Sequence, residues 1–267
     1  IYFWIDEGRE IEDAHRLSQS FQYPYDFPVE ELRNAHLGNA IEIFAKGTKN
    51  RQLVFVGSEI NGREYRLLAD GVQKIKDIAV INDIEERIEK VCLVGMSMGG
   101  YPSQMFAHLY PKKVQCFIAV DTTPFGTAYY SKSDLWWLSK VKPMANWFTD
   151  KMLRKSMAKS ISVTDYSYNK MIEILAPLSK KQIIEQMDIA YGKFAQENKD
   201  LQLICPVLIL LGDKDKTGKV KQYCTAWAEA TGYPLHIIED AAHFSNGDNA
   251  KQVNSEIEQF VIQTTVG

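Results

Sequence analysis

Seven short apolar runs, set between stretches of helical periodicity, constrain this chain more than any other feature; they cover residues 1–5, 53–56, 78–81, 91–94, 114–120, 207–211 and 235–238. Most are continuous rather than alternating. A strand with one face in water alternates apolar and polar side chains, whereas a strand covered on both faces is apolar throughout. The runs therefore predict a parallel sheet between two helix layers. After the last run, Val253, Ile257, Phe260 and Val261 recur at i, i+4, i+7 and i+8, one stripe of a C-terminal helix. The expected fold class is α/β, with a doubly wound, mostly parallel sheet. At 267 residues, 45% of them apolar, the chain has ample material for the core this needs.

One stretch breaks the alternation. Residues 122–200 contain no convincing strand and read as helices rich in aromatics, among them Phe125, Tyr129, Tyr130, Trp136, Trp137, Trp147 and Phe148. Ser179-Lys180-Lys181-Gln182 has the form of a capping box. It opens a helix whose Ile183, Ile184, Met187, Tyr191 and Phe194 share one side. The stretch lies between two core strands, which predicts a helical cap inserted over the sheet's edge. On this division residues 1–121 and 201–267 form the core and 122–200 the cap. A plain second domain is the alternative.

The sharpest motif is Val91-Cys92-Leu93-Val94-Gly95-Met96-Ser97-Met98-Gly99-Gly100. An apolar strand runs into Gly-x-Ser-x-Gly and then into a helical pattern that stops at Pro111, the context a nucleophile elbow requires. The serine must sit on a tight, strained turn so that its hydroxyl projects from the sheet. Gly95 and Gly99 would remove side chains that collide with the neighbouring strand and helix. The helix N-terminus then brings N–H groups beside the hydroxyl, with the Met98 N–H as the expected first oxyanion donor.

A serine hydroxyl needs a base, and the base needs an orienting carboxylate. The strand at 207–211 ends in Gly212, followed by Asp213 and Asp215. Asp215 is favoured, because Gly-x-x-Asp lets the chain clear the strand before presenting the carboxylate; Asp213 is the fallback. The run at 235–238 leads to Glu239-Asp240-Ala241-Ala242-His243-Phe244, where small residues let the loop swing His243 toward Ser97. His15 and His36 lie in polar contexts. His108 reads as a packed or surface residue, and His236 as structural.

These residues make the chain resemble the α/β-hydrolase fold superfamily. The elbow and its helix, Tyr110-Pro111-x-Lys113-Val114, the Gly212-x-x-Asp215 turn and Ala242-His243-Phe244 all match its pattern, from about Lys90 to the C-terminus. The resemblance implies a Ser97–His243–Asp215 triad and a helical cap at 122–200. The N-terminal third departs from it. The family's third strand ends in His-Gly, while here Leu53-Val54-Phe55-Val56 runs into Gly57-Ser58-Glu59. Alignment of the glycine makes the Ser58 N–H the second oxyanion donor, with Glu59 as its neighbour candidate. The runs at 78–81 and 91–94 also stand too close for a parallel crossover, which takes a dozen or more residues. Meanwhile Leu32, Leu37, Ile41 and Phe44 suggest a helix over residues 28–46. A rearranged chain order, gaps between neighbouring residues and a different N-terminal topology all remain open.

The expected function is a serine hydrolase acting on a carboxylic ester or thioester, with an acyl-enzyme intermediate. The aromatic cap suggests a small or medium apolar acyl substrate. No metal and no redox cofactor is called for. An acyltransferase, a C–C bond hydrolase and a non-enzymatic sensor that retains the triad are the alternatives. A net charge of −3 and a pI near 6 give no electrostatic reason to expect nucleic acid or an anionic membrane, although local basic patches stay compatible with both. No apolar run approaches the roughly 20 residues of a membrane span. Cys92, Cys116, Cys205 and Cys224 form no C-x-x-C pair, and a basic leader with a cleavage site is not evident, so a reducing, cytoplasmic location is expected. The oligomeric state is not readable.

Overall fold

The structure, a computed structural model, describes residues 43–48, 51–56 and 90–266. Its sheet has six strands in sequence order: β1 (Ile43–Thr48), β2 (Arg51–Val56), β3 (Val91–Met96), β4 (Val114–Val120), β5 (Val207–Gly212) and β6 (Leu235–Ile238). β1 pairs antiparallel with β2, and every later pairing is parallel. The register aligns Val54 with Leu93 and Ile118 with Leu208, so the carboxyl ends of the parallel strands form one rim.

The continuous apolar runs are explained by alternation between two cores. Leu93, Phe117, Ala119, Ile209 and Leu211 point to one face, where they meet Tyr101, Met105 and Phe106 of α1 (Gly100–Leu109) and Tyr223, Cys224 and Trp227 of α8 (Val220–Thr231). Cys92, Val94, Cys116, Ile118, Leu208 and Leu210 point to the other, against Val253, Ile257 and Val261 of α10 (Ala250–Val266). All of these side chains are buried, and burial of a large aliphatic group contributes about 1.5–3 kcal/mol.

Between β4 and β5 the described chain is helical: α2 (Lys132–Ser139), α3 (Val141–Asn146), α4 (Asp150–Ile161), α5 (Asp165–Leu175), α6 (Lys180–Met187), a π-helical turn at Asp188–Lys193 and α7 (Phe194–Glu197). The Ser179 box forms, with Ser179 Oγ accepting from the Gln182 N–H and Gln182 Oε1 accepting from the Ser179 N–H at 2.8 Å. Ala145, Leu153, Ala158, Met171, Leu175, Ile183 and Ile184 make a separate cluster. Of the aromatics that mark this segment, Phe125 and Tyr130 are buried, while Trp136, Trp137, Trp147 and Phe148 are exposed. The helix expected from Ile183 to Phe194 passes through the π turn, with Ile183 and Ile184 buried in this cluster and Phe194 buried in the main core.

The helix expected over residues 28–46 is corrected at its end, since Ile43–Thr48 is strand β1. Helical spacing of Ile41 and Phe44 is overridden there by pairing of Phe44 with Phe55 across a connection of Lys49 and Asn50. Both edges of β3 are taken, by β2 and β4, and residues 57–90 join β2 to β3, so the short crossover does not arise at β3. The runs at 1–5 and 78–81, the rest of the 28–46 helix, and Ser58 and Glu59 lie outside the described residues.

Candidate active site

Ser97 sits where β3 turns into α1, at φ 48°. A side chain in this left-handed region is strained, and its neighbours must hold it there. Thr122 Oγ1 donates to the Ser97 carbonyl at 2.6 Å, and Ser103 Oγ donates to the Gly99 carbonyl at 2.9 Å. A Cβ on Gly95 would lie 2.6 Å from Gly100 Cα, and one on Gly100 would lie 2.2 Å from Thr122 Oγ1. Gly99 has an ordinary helical backbone at φ −65°. The close approach of strand and helix therefore rests on Gly95 and Gly100. Met98, whose amide opens the turn after Ser97, is buried.

The loops after β5 and β6 meet this elbow. Ser97 Oγ lies 2.8 Å from His243 Nε2, and His243 Nδ1 lies 2.9 Å from Asp215 Oδ2. A carboxylate can only accept, so Nδ1 carries the proton and Nε2 is left to accept from the Ser97 hydroxyl. Asp215 is further oriented by the Thr217 N–H, which donates to Oδ1 at 2.7 Å. His243 and Asp215 are buried, while Ser97 is partly exposed. Asp213 does not reach the imidazole; its Oδ1 accepts from the Ala241 N–H at 3.0 Å and so braces the loop that carries His243. The same loop is tied down by the Ala242 N–H, which donates to Asp248 Oδ2 at 2.9 Å.

The electrostatics follow from burial and pairing. Burial by itself would lower the His243 pKa, but the hydrogen bond to Asp215 and the charges of Asp215 and Asp121 outweigh it and hold the imidazole above 6.5. For Asp215 burial acts upward, yet the bond and charge of His243 and the Thr217 contacts bring it below the usual carboxylate value.

Asp121 is a residue the sequence reading passed over. It directly follows β4, at φ 46°, and is fully buried. Its Oδ1 accepts from the Gly212 N–H at 2.9 Å, and its Oδ2 accepts from the Ser245 N–H at 3.2 Å and from the Ser245 hydroxyl. It thus joins the strand end before Asp215 to the turn after His243. Burial pushes its pKa from 3.8 up to about 7, against the pull of His243 and these hydrogen bonds. The available signal was its place, a carboxylate at the carboxyl end of an apolar run, as with Asp213 and Asp215. Tyr191 on the π turn also bears on the site, since burial and the charge of Asp215 raise its phenol.

Met96 and Phe244, the chain neighbours of Ser97 and His243, pack against the helical cluster of Leu153, Met171 and Ile183, and Met98 packs with Ile189 and Phe194. His108 lies against the Gln202 backbone, and His236 pairs with Glu256 at 2.7 Å on the surface. Among the described residues no group of three or more His, Cys, Asp or Glu could hold a metal ion, and no helix is long and apolar enough to cross a membrane. All four cysteines are buried, and none of them forms a disulfide.

A family model described as the alpha/beta hydrolase fold matches residues 86–250. No curated protein matches the chain. Among solved structures, it is similar to a thermophilic esterase from Thermogutta terrifontis at 17% identity, covering 91% of this chain and 87% of that one with a TM-score of 0.56. A bromoperoxidase from Bacillus anthracis gives 17% identity, coverage of 79% and 81% and a TM-score of 0.59. An esterase from Exiguobacterium antarcticum gives 14% identity, coverage of 78% and 81% and a TM-score of 0.54. At these identities the likeness is one of fold.

Proposed function

Because the chain belongs to the α/β-hydrolase fold family, we propose that it is a serine hydrolase of carboxylic esters or thioesters, with Ser97, His243 and Asp215 as its catalytic triad. The observation that carries this reading is the unbroken pair of hydrogen bonds from Ser97 Oγ through the imidazole to Asp215. The esterases among the similar structures favour the same chemistry.

His243 Nε2 takes the Ser97 proton as Oγ attacks the acyl carbonyl, and Asp215 stabilises the imidazolium that forms. The Met98 N–H, at the positive end of the elbow helix, donates to the developing oxyanion, with the Ser58 N–H as the second donor. The imidazolium protonates the leaving alcohol or thiol, leaving an acyl-enzyme. Water then attacks that ester, its proton passing to His243, and Ser97 is regenerated. Residues 122–200 act as the cap of a core made of 1–121 and 201–267. Packing of Met96 and Phe244 on the helical cluster supports this, and it favours an apolar acyl group beside the nucleophile.

Hydrolysis of a short-chain p-nitrophenyl ester, with covalent labelling of Ser97 by a fluorophosphonate, tests the proposal. Ser97→Ala is expected to lose both signals while keeping the wild-type melting temperature. Labelling or turnover that survives in Ser97→Ala refutes it.

A further inference from the structure

We propose that the outer face of residues 131–160 docks on the surface of an anionic phospholipid membrane. Trp147 is 89% exposed, and Trp136 and Trp137, packed edge to face at 4.9 Å, are exposed beside it in the chain together with Met144, Phe148 and Met152. Single exposed apolar residues are ordinary, but a set this large in thirty residues marks an interaction surface. The inner side of the same helices is already satisfied. Leu135 and Leu138 pack on the main core, and Ala145, Leu153 and Ala158 are buried in the helical cluster. The outer residues follow a helical repeat as well: Trp136, Lys140, Met144 and Trp147 stand at i, i+4, i+8 and i+11. Lys140, itself helical in backbone, carries that repeat from α2 into α3.

Charge selects the occupant. Residues 131–160 hold seven Lys and Arg against two Asp, a local net charge of +5 in a chain whose total is −3. Both aspartates are engaged, Asp134 with Lys219 at 2.6 Å and Asp150 with Arg154 at 2.9 Å. Lys132, Lys151, Lys155 and Lys159 are exposed. Tryptophan at headgroup depth with lysine around it is the composition of an interfacial helix. A second copy of this chain would set one net-positive surface against another. A nucleic acid would leave the thioethers of Met144 and Met152 without a use, whereas lipid buries them.

Sedimentation of the full chain with phosphatidylcholine vesicles, with and without phosphatidylserine, tests the proposal, with tryptophan emission as a second readout. Binding is expected only with phosphatidylserine, with a blue shift, and is expected to fall as salt rises. A basic side chain near such a surface contributes roughly fivefold to partitioning, so Lys151→Glu with Lys155→Glu should weaken binding by about 25-fold or more. Trp147→Ala, at a site too exposed to affect folding, should weaken it severalfold and reduce the blue shift. Three results would overturn the proposal: no binding to phosphatidylserine vesicles, binding that these substitutions leave unchanged, or equal binding to neutral vesicles. A concentration-dependent dimer lost in Trp147→Ala would assign the face to a second copy instead. Oligonucleotide binding without vesicle binding would assign it to nucleic acid.

Discussion

Replacing Asp215 with Asn separates orientation of the imidazole from mere bulk at that position. In the native site Oδ1 accepts from the Thr217 N–H at 2.7 Å and Oδ2 accepts from His243 Nδ1–H at 2.9 Å. An asparagine that keeps its oxygen on Thr217 turns its NH₂ toward Nδ1. That nitrogen must then accept, so the ring proton moves to Nε2, which can no longer take the Ser97 proton across 2.8 Å. The loss expected for the wrong tautomer is about 10⁴ in kcat, or roughly 5.5 kcal/mol of transition-state stabilisation. Asp213→Asn is the control. Its oxygen accepts only from the Ala241 N–H, a bond an asparagine oxygen also makes, so its kcat should stay within about threefold of wild type. Both variants are read by steady-state hydrolysis of a p-nitrophenyl ester, with thermal melting to verify the fold. A folded Asp215→Asn within about tenfold of wild type, or an Asp213→Asn that is the worse of the two, would refute the assignment.

The base must be neutral to act, and His243 is held above 6.5 by Asp215 and Asp121 despite its burial, so kcat/KM should rise with pH through a midpoint above 6.5. A flat profile from pH 5 to 9 would exclude His243 as the base. Asp121→Asn should move that midpoint toward acid, because one of the charges that raises the imidazole is gone; an unchanged midpoint would make Asp121 purely structural. Its stability effect has a definite sign. The folded pKa of Asp121, about 7, exceeds its unfolded value near 3.8, so the native state loses stability from this group as pH rises between the two. The neutral variant escapes that loss but leaves the Ser245 N–H without its acceptor, at about 1–3 kcal/mol. Melting of the variant relative to wild type should therefore be worst near pH 4 and improve toward pH 8.

The elbow and the two loops were legible because each depends on contiguous residues. Strand periodicity, Gly-x-Ser-x-Gly and an aspartate or histidine just past a strand end are local patterns, and burial on both faces writes itself into every residue of a run. The capping box at Ser179 was readable for the same reason: its four positions satisfy one another's backbone groups. Asp121 was not legible, because what distinguishes it is its contact with Gly212 and Ser245, remote in sequence and joined only by the parallel register of β4 and β5. The importance of Gly100 was hidden in the same way, since what a side chain there would meet is Thr122, just past the end of the neighbouring strand.

By itself, then, the sequence determined an α/β sheet with covered faces, the strained serine turn and the chain order of serine, aspartate and histidine. Tertiary structure alone decided which carboxylate meets the imidazole, which aromatics are buried, and that Ile43–Thr48 pairs as a strand. The physical reason is range: propensity, periodicity and turn sterics act over a few residues, whereas a hydrogen bond or a buried surface between distant segments exists only once the chain has closed on itself.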